Sequence, residues 1–353
     1  AGAGQSPIFY NLPMALAGLI TLRAMLGEMR PFPNLTAAGA AAMLLAGLAL
    51  QIKYSAVFEG IFFGCSFLWL GRRESGVPGA LLRGLLWVVV ALLPTLVALL
   101  AYIAMGHAQA FIFANFLSIF ERSSDAGPGL LLLRLALILA VLAPLILCAL
   151  VPPGEACSRH TLARRFLLLW LAAALLGLLV FGTYLHHYLL PVLVSASAAA
   201  AGFFGQRHWR VATLGLLGAV FVIGEMMMVT SLAHHGSREE FQAIARAIDP
   251  QGCLYVYSGD PAFYDATTAC MPTCFAFPSH LSRDAEARSL GVDQTAEVAR
   301  ILATRPTTII VSAPYRDENS AARRRVEAAL GQDYRLALEA RLGRDPVSVY
   351  RLK

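Results

Sequence analysis

Two short polar clusters interrupt the apolar stretches of this 353-residue chain. Lys53-Tyr54 follows the run LALQI, with Glu59 six residues further on, and His186-His187-Tyr188 separates two other apolar runs. Glu121-Arg122 and Glu225, the latter within GEMMM, complete the set. Ionisable groups within or beside membrane-length apolar segments are costly to keep, which makes them candidates for function. Lysine and arginine flanked by phenol, imidazole and carboxylate groups suit an anionic amphiphile, with its phosphate among the polar groups and its tail along the apolar ones. Each residue also has a plainer reading. Lys53 can snorkel to an interface, Tyr54 and Tyr188 can be interfacial aromatics, His186 and His187 can cap a tight turn, and Glu59 can be a protonated, hydrogen-bonded buried carboxyl. The paired histidines lack a third ligand at useful spacing, so no metal centre is expected among them. No cofactor is expected; participation of a divalent cation is open.

The elements that must hold these residues follow from composition. Hydrophobic residues make up 58% of the chain and charged residues 14%, against roughly 25% charge in soluble domains. Residues 1–235 carry 13 Lys+Arg and 7 Asp+Glu; residues 236–353 carry 15 of each. The pattern predicts a mainly α membrane protein: a polytopic transmembrane bundle over 1–235 followed by a small external α/β domain over 236–353. A span needs about 20 apolar residues, and eight stretches qualify or nearly do: Phe9–Leu26, Leu35–Leu50, Tyr54–Leu70, Leu85–Ala104, Leu130–Val151, Phe166–Leu185, Tyr188–Phe204 and Val211–Ala233. The Ala/Gly-rich stretches 37–42 and 196–202 favour close helix–helix approach. The basic excess sits in short loops without aromatic interleaving, so nucleic acid is not an expected partner.

Basic loops stay cytoplasmic. Alternate loops and helix ends hold Arg23, Arg30, Arg72, Arg73, Arg83, Arg159, Arg164, Arg165, Arg207 and Arg210, against Lys53, Arg122 and Arg134 in the other set. Trp69, Trp87, Trp170 and Trp209 all lie near the Arg-rich ends and read as interfacial anchors. Lys53, the 106–129 segment, His186–His187 and the tail are therefore expected outside, which for a bacterial inner membrane is the periplasm. Within that segment HAQAFIFANFLSIFER (107–122) has helical apolar spacing and reads as a helix lying on the membrane surface, or as a long loop packed on the bundle. No signal peptide is visible at Ala1.

In the tail, Ser237 to Glu240 fits a capping box, Cys253–Tyr257 and Thr307–Ser312 read as strands flanking a helix over Asp293–Thr304, and a basic helix near Asn319–Leu330 precedes a hairpin from Tyr334–Arg341 to Val347–Leu352. Strand, helix, strand predicts a parallel βαβ unit. The tail has no GxGxxG, GxxxxGK[ST] or GxSxG, and reads as an accessory lid or docking domain. Of its cysteines, Cys270 can pair with Cys274, or Cys253 with either, leaving one thiol free. Three cysteines near His280 match no paired zinc framework.

Several stretches resemble bacterial GT-C superfamily glycosyltransferases, the protein O-mannosyltransferase-like (family 39) and lipid A sugar-transferase-like group: FYNLPMALAGLITLRAM (9–25), LALQIKYSAVFEG (48–60), TYLHHYLLPVLVSASAAAA (183–201), CFAFPSHL (274–281) and ATRPTTIIVS (303–312). The resemblance implies transfer of a sugar from a polyprenyl-phosphate donor to a glycan, lipid or protein acceptor on the periplasmic face, with inversion at the sugar carbon. By that analogy Lys53 and Tyr54 hold the donor phosphate, with Arg122 and Tyr188 as weaker candidates and Glu59, His186 and His187 nearby. Such enzymes carry an acidic catalytic residue in a first periplasmic loop, preceded by further helices. Phe9–Leu26 reads as a middle helix of that fold, so the acid is expected upstream of Ala1 and the catalytic residue is unknown in this chain, which is expected to be inactive alone. Two other classes compete: a transporter or flippase of lipid-linked substrates, against which the lack of an internal repeat counts, and a non-catalytic membrane scaffold whose tail binds a partner.

Overall fold

In the computed structural model, which describes residues 6–118, 127–152 and 158–353, these residues gather into two compact units: residues 6–108 with 127–152 and 158–217, and residues 109–118 with 218–353. The first is helical. Its α1 (Ser6–Met25) ends as RAMLGE dictates. Gly27 takes φ 77°, and the amides of Glu28 and Gly27 donate to the carbonyls of Arg23 and Ala24, the Schellman closure that satisfies a helix C-terminus. Asn34 then caps α2 (Leu35–Ile52), its side chain accepting from the amide of Ala37.

Apart from Leu35 and Met43, the buried face of α2 is made of small residues, Ala38, Gly39, Ala42, Ala46, Gly47 and Ala49. These admit α3 (Val57–Ala104) at close range. Gly76 breaks α3 with φ 69° and ψ −176°, a conformation that glycine tolerates and L side chains resist. The halves then run side by side: Phe67 packs on Trp87 at 5.4 Å between ring centroids and Arg83 reaches Glu74 at 2.7 Å. Both halves meet α2, since Gly60 faces Ala46 while Gly47 lies against the backbone of Ala91. The predicted spans Tyr54–Leu70 and Leu85–Ala104 are thus two halves of one helical hairpin. Among the described residues, seven helices are long and apolar enough to cross a bilayer, and α3, broken at Gly76, supplies two of the eight predicted spans.

A second apolar cluster joins α5 (Pro128–Leu150), α6 (Ser158–Phe181) and α7 (Leu189–Phe204) through Ile138, Leu142, Leu171, Ala174, Val192 and Ala196. The tryptophans divide. Trp69 and Trp209 are exposed, but Trp87 and Trp170 are 1% and 3% exposed, so the expectation that all four anchor an interface is corrected. Trp87 fills the notch at Gly39 and donates to the Thr36 carbonyl; Trp170 lies over Gly18. A residue near a basic loop need not face outward when a glycine on the next helix leaves a ring-sized gap.

In the second unit, α4 (Ala108–Ile112) passes into a π-helical turn, Phe113–Leu117, and the Phe113 ring packs on Gly291. The 107–122 segment is helical as far as it is described. The apolar α8 (Arg210–His235) leads into α9 (Arg238–Arg246), which Ser237 and Glu240 start with the predicted capping box. β1 (Leu254–Val256) runs parallel to β2 (Thr308–Ser312), which pairs antiparallel with β4 (Asp345–Leu352), itself paired with β3 (Tyr334–Leu342), giving the order β1-β2-β4-β3. Between β1 and β2 lie the short helices α10 (Ala262–Asp265) and α11 (Pro278–Ser282) and the predicted α12 (Gln294–Ala303); α13 (Ser320–Asp333) precedes the hairpin. Alternation along the strands sends Tyr255, Ile309 and Val311 toward α12 and α13, and Leu254, Val256 and Ile310 toward α9. The bridge is Cys253–Cys270, leaving Cys274 as an exposed thiol.

Candidate functional site

Three chain segments converge at one end of the helical unit. Lys53 is where α2 stops: its amide still donates to Ala49, while its own φ of −160° is extended, and the chain then makes a 3-10 turn over Tyr54–Ala56. A second 3-10 turn, His186–Tyr188, follows α6 after left-handed backbone at Gly182 (φ 67°) and Tyr184 (φ 46°). The third segment is the start of α1. Its Tyr10 hydroxyl pairs with the Ser55 hydroxyl at 2.8 Å, and Asn11 donates to the Leu190 carbonyl at 3.0 Å. Each of these bonds spans a large sequence separation and fixes the turns to one another.

At this junction the Lys53 ammonium lies 4.2 Å from the centroid of the Tyr188 ring, a cation–π contact. His187 stacks on Tyr188 at 4.8 Å, His186 meets His187 edge-on at 5.7 Å, and Phe181 stacks on the Tyr188 ring at 6.5 Å with Phe58 beyond it at 6.0 Å. The result is a row of rings with one fixed ammonium, polar at the histidine end and apolar at the phenylalanine end. Lys53, Tyr54, His187 and Tyr188 are half-buried and His186 is exposed.

Glu59 stands apart from this cluster. It is 3% exposed in the first turn of α3 and accepts a hydrogen bond from the Trp170 indole of α6. Phe63 packs on the same indole at 5.3 Å. A buried carboxylate held by an indole joins two helices, and its oxygen is already engaged. Glu225 is exposed on α8. Arg122 and Glu121 lie outside the described residues. Of the sequence-predicted residues, Lys53, His186, His187 and Tyr188 meet, with Tyr54 beside them.

Sequence reasoning missed Tyr10, Asn11 and Ser55. The signal available was the polar pair Tyr10-Asn11 inside an otherwise apolar helix, where an uncompensated amide is costly. No three His, Cys, Asp or Glu side chains gather as a metal site among the described residues. The cluster therefore offers a positive charge, ring hydroxyl and imidazole groups, and an apolar aromatic wall. It can hold a phosphate with an apolar substituent.

In the tail, a polar group of similar density surrounds Arg323, which reaches Glu318 at 3.2 Å, Glu327 at 2.9 Å and the Ser312 carbonyl at 3.0 Å. On α12, hydrogen bonds from Arg300 hold the Glu297 carboxyl below its ordinary range. Arg323 ties α13 to the end of β2, the Arg300–Glu297 pair lies within α12, and both are satisfied within the domain. Compared with known protein families, curated proteins and solved structures, the chain matches none of them.

Proposed function

We propose that this chain is a multi-pass membrane glycosyltransferase, or the C-terminal part of one, whose role is to bind a polyprenyl-phosphate-linked sugar for transfer to a cell-envelope acceptor on the periplasmic side of a bacterial inner membrane. The observation that carries the reading is the Lys53–Tyr188–His187 cluster, in which residues more than 130 positions apart form one cationic, aromatic-walled junction. The apolar outer faces of the seven long helices suit lipid rather than water. The Phe113–Gly291 contact supports a common side for the 106–129 segment and the tail: four helices, α5 to α8, separate them, and an even number of crossings returns the chain to the face it left. A disulfide in the tail suits the oxidising periplasm.

In the transfer, an acceptor oxygen attacks the anomeric carbon from the face opposite the phosphate. The carbon–oxygen bond to phosphate breaks, and its electron pair leaves with the polyprenyl phosphate. Lys53 meets that developing charge with a cation already in place, which is where preorganised electrostatics lowers a barrier. Phe58, Phe181 and Tyr188 line the path of the first prenyl units. The acceptor proton goes to a base this cluster does not supply.

Binding tests the reading most directly. Detergent-purified protein is expected to retain a polyprenyl phosphate and to bind the matching sugar-loaded donor. Polyprenol lacking phosphate should not compete. Lys53→Gln should weaken polyprenyl-phosphate binding about tenfold or more, the loss of one charge-assisted contact. Equal binding of alcohol and phosphate, or an unaltered affinity in Lys53→Gln, would overturn it.

A further inference from the structure

The opposite end of α1 carries a second cationic pocket. A cavity of about 210 Å³ opens between the last turns of α1, the loop that follows, and the start of α2. Its floor is apolar, from Leu19, Ile20, Phe32 and Ala38, and its rim holds Arg23 and Arg30. The loop is set by the Schellman closure at Gly27 and by the Phe32 amide donating to Met29 at 2.7 Å. The Arg23 Nε is buried and makes no hydrogen bond; the nearest carboxylate, of Glu28, lies 3.8 Å away at ion-pair distance only. Buried donors are normally matched, so an orphaned guanidinium N–H in a cavity points to an acceptor from outside the chain. Two arginines against one glutamate leave the rim positive.

A stripe of exposed apolar side chains leads away from this pocket along α1. Phe9, Leu12, Leu16 and Leu19 are 62%, 66%, 42% and 50% exposed and recur at helical spacing. Leu19, Leu16 and Leu12 lie within eleven residues of Arg23, a helical rise of about 17 Å or roughly half of the ~30 Å hydrocarbon core of a bilayer. That part of the stripe has the length of one leaflet, and Phe9 lies beyond it. The cavity is smaller than the roughly 300–1,000 Å³ of drug-sized ligand pockets and fits a headgroup rather than a whole lipid.

We propose that this pocket holds the phosphodiester headgroup of an anionic phospholipid from the leaflet opposite the Lys53 cluster, with one acyl chain laid along the α1 stripe. Basic pockets between membrane helices on the cytoplasmic side bind such headgroups. The recognised chemistry is a phosphate oxygen on two guanidinium groups, which a free phosphate shares; the stripe favours the lipid. The inference rests on the membrane placement above, not on the sugar-transfer reaction.

The test uses the full chain purified in neutral detergent, titrated with phosphatidylglycerol, phosphatidylcholine or inorganic phosphate. Retained lipid is counted by native mass spectrometry and the thermal midpoint is followed. Phosphatidylglycerol should be retained and raise the midpoint, while phosphatidylcholine and phosphate should do neither. Arg23→Gln with Arg30→Gln should cut phosphatidylglycerol retention more than about tenfold, the consequence of losing both charge-assisted contacts. Arg72→Gln with Arg73→Gln, at another basic turn, should leave it unchanged, and Arg30→Gln alone, at an exposed position, should give an intermediate loss in a folded protein. Equal retention of both lipids, full protection by phosphate alone, or an equal loss in the Arg72/Arg73 variant overturns the proposal. A chain that stays soluble without detergent sinks the membrane placement and this inference together, whereas lost selectivity in a detergent-requiring protein sinks this inference alone.

Discussion

Glu59 and Glu240 are both glutamates in the first turn of a helix, yet their surroundings assign them different work. Glu59 is buried against an indole, whereas Glu240 accepts from the backbone amides of Ser237 and Gly343 near the surface. Those two donors hold the Glu240 carboxyl below its ordinary range, the Gly343 amide most strongly. A depressed folded-state value means that the stabilisation is present above the unfolded-state value and disappears as pH falls through the folded one. The thermal midpoint of the tail should accordingly fall on acidification below the ordinary carboxylate range, and Glu240→Gln should lower the neutral-pH midpoint and flatten that acid limb. A variant whose acid limb is as steep as the parent's would remove Glu240 from this role. Lys53 and His187 were legible as candidates because charge and imidazole beside apolar runs are conspicuous. Tyr10 and Ser55 were not, since the hydroxyl pair that locates them joins positions 45 apart and neither residue type is unusual where it stands.

At the scale of elements, close approach rather than propensity decides the helical unit. Gly47 abuts the Ala91 carbonyl so closely that any Cβ there must push α3 away, whereas a Cβ at Gly64 would meet only the flexible Met43 side chain at 3.8 Å. Gly47→Ala should therefore cost about 1–3 kcal/mol through overpacking, read as a lower thermal midpoint in detergent, with Gly64→Ala tolerated. Similar midpoints for the two would show that α2 and α3 adapt more freely than their contacts suggest. Most element boundaries could be read from the sequence: the capping box at Ser237, the helix closed at Thr304 and the hairpin beginning at Tyr334 all have local causes. The fold-back between the two apolar runs was also expected, but its seat at Gly76 was not, because one glycine between apolar runs looks the same in a loop and in a tight hairpin. Burial of Trp87 and Trp170 was equally hidden, being set by glycines on other helices. The cysteine pairing needed the β1 geometry to choose Cys253–Cys270 from the alternatives.

For the whole molecule, the proposed placement fixes which groups face which compartment. In single-thiol variants that keep the Cys253–Cys270 bridge, a membrane-impermeant maleimide applied to spheroplasts should label Cys274 at once. A cysteine introduced by Ser75→Cys, beside the Gly76 turn and its arginines, should react only after the membrane is opened. The reverse pattern would invert the topology, and simultaneous labelling of both would count against a sealed, spanning bundle. The junction between α8 and the tail bears on how such a molecule moves. The amide of Arg344, in the β3–β4 turn, donates to the His234 carbonyl at the end of α8, and the Gly343 amide beside it is held by Glu240. No slack tether intervenes between the last long helix and the sheet. A roll of the last turn of α8 is consequently passed to the β3–β4 turn as a lever arm transmits torque.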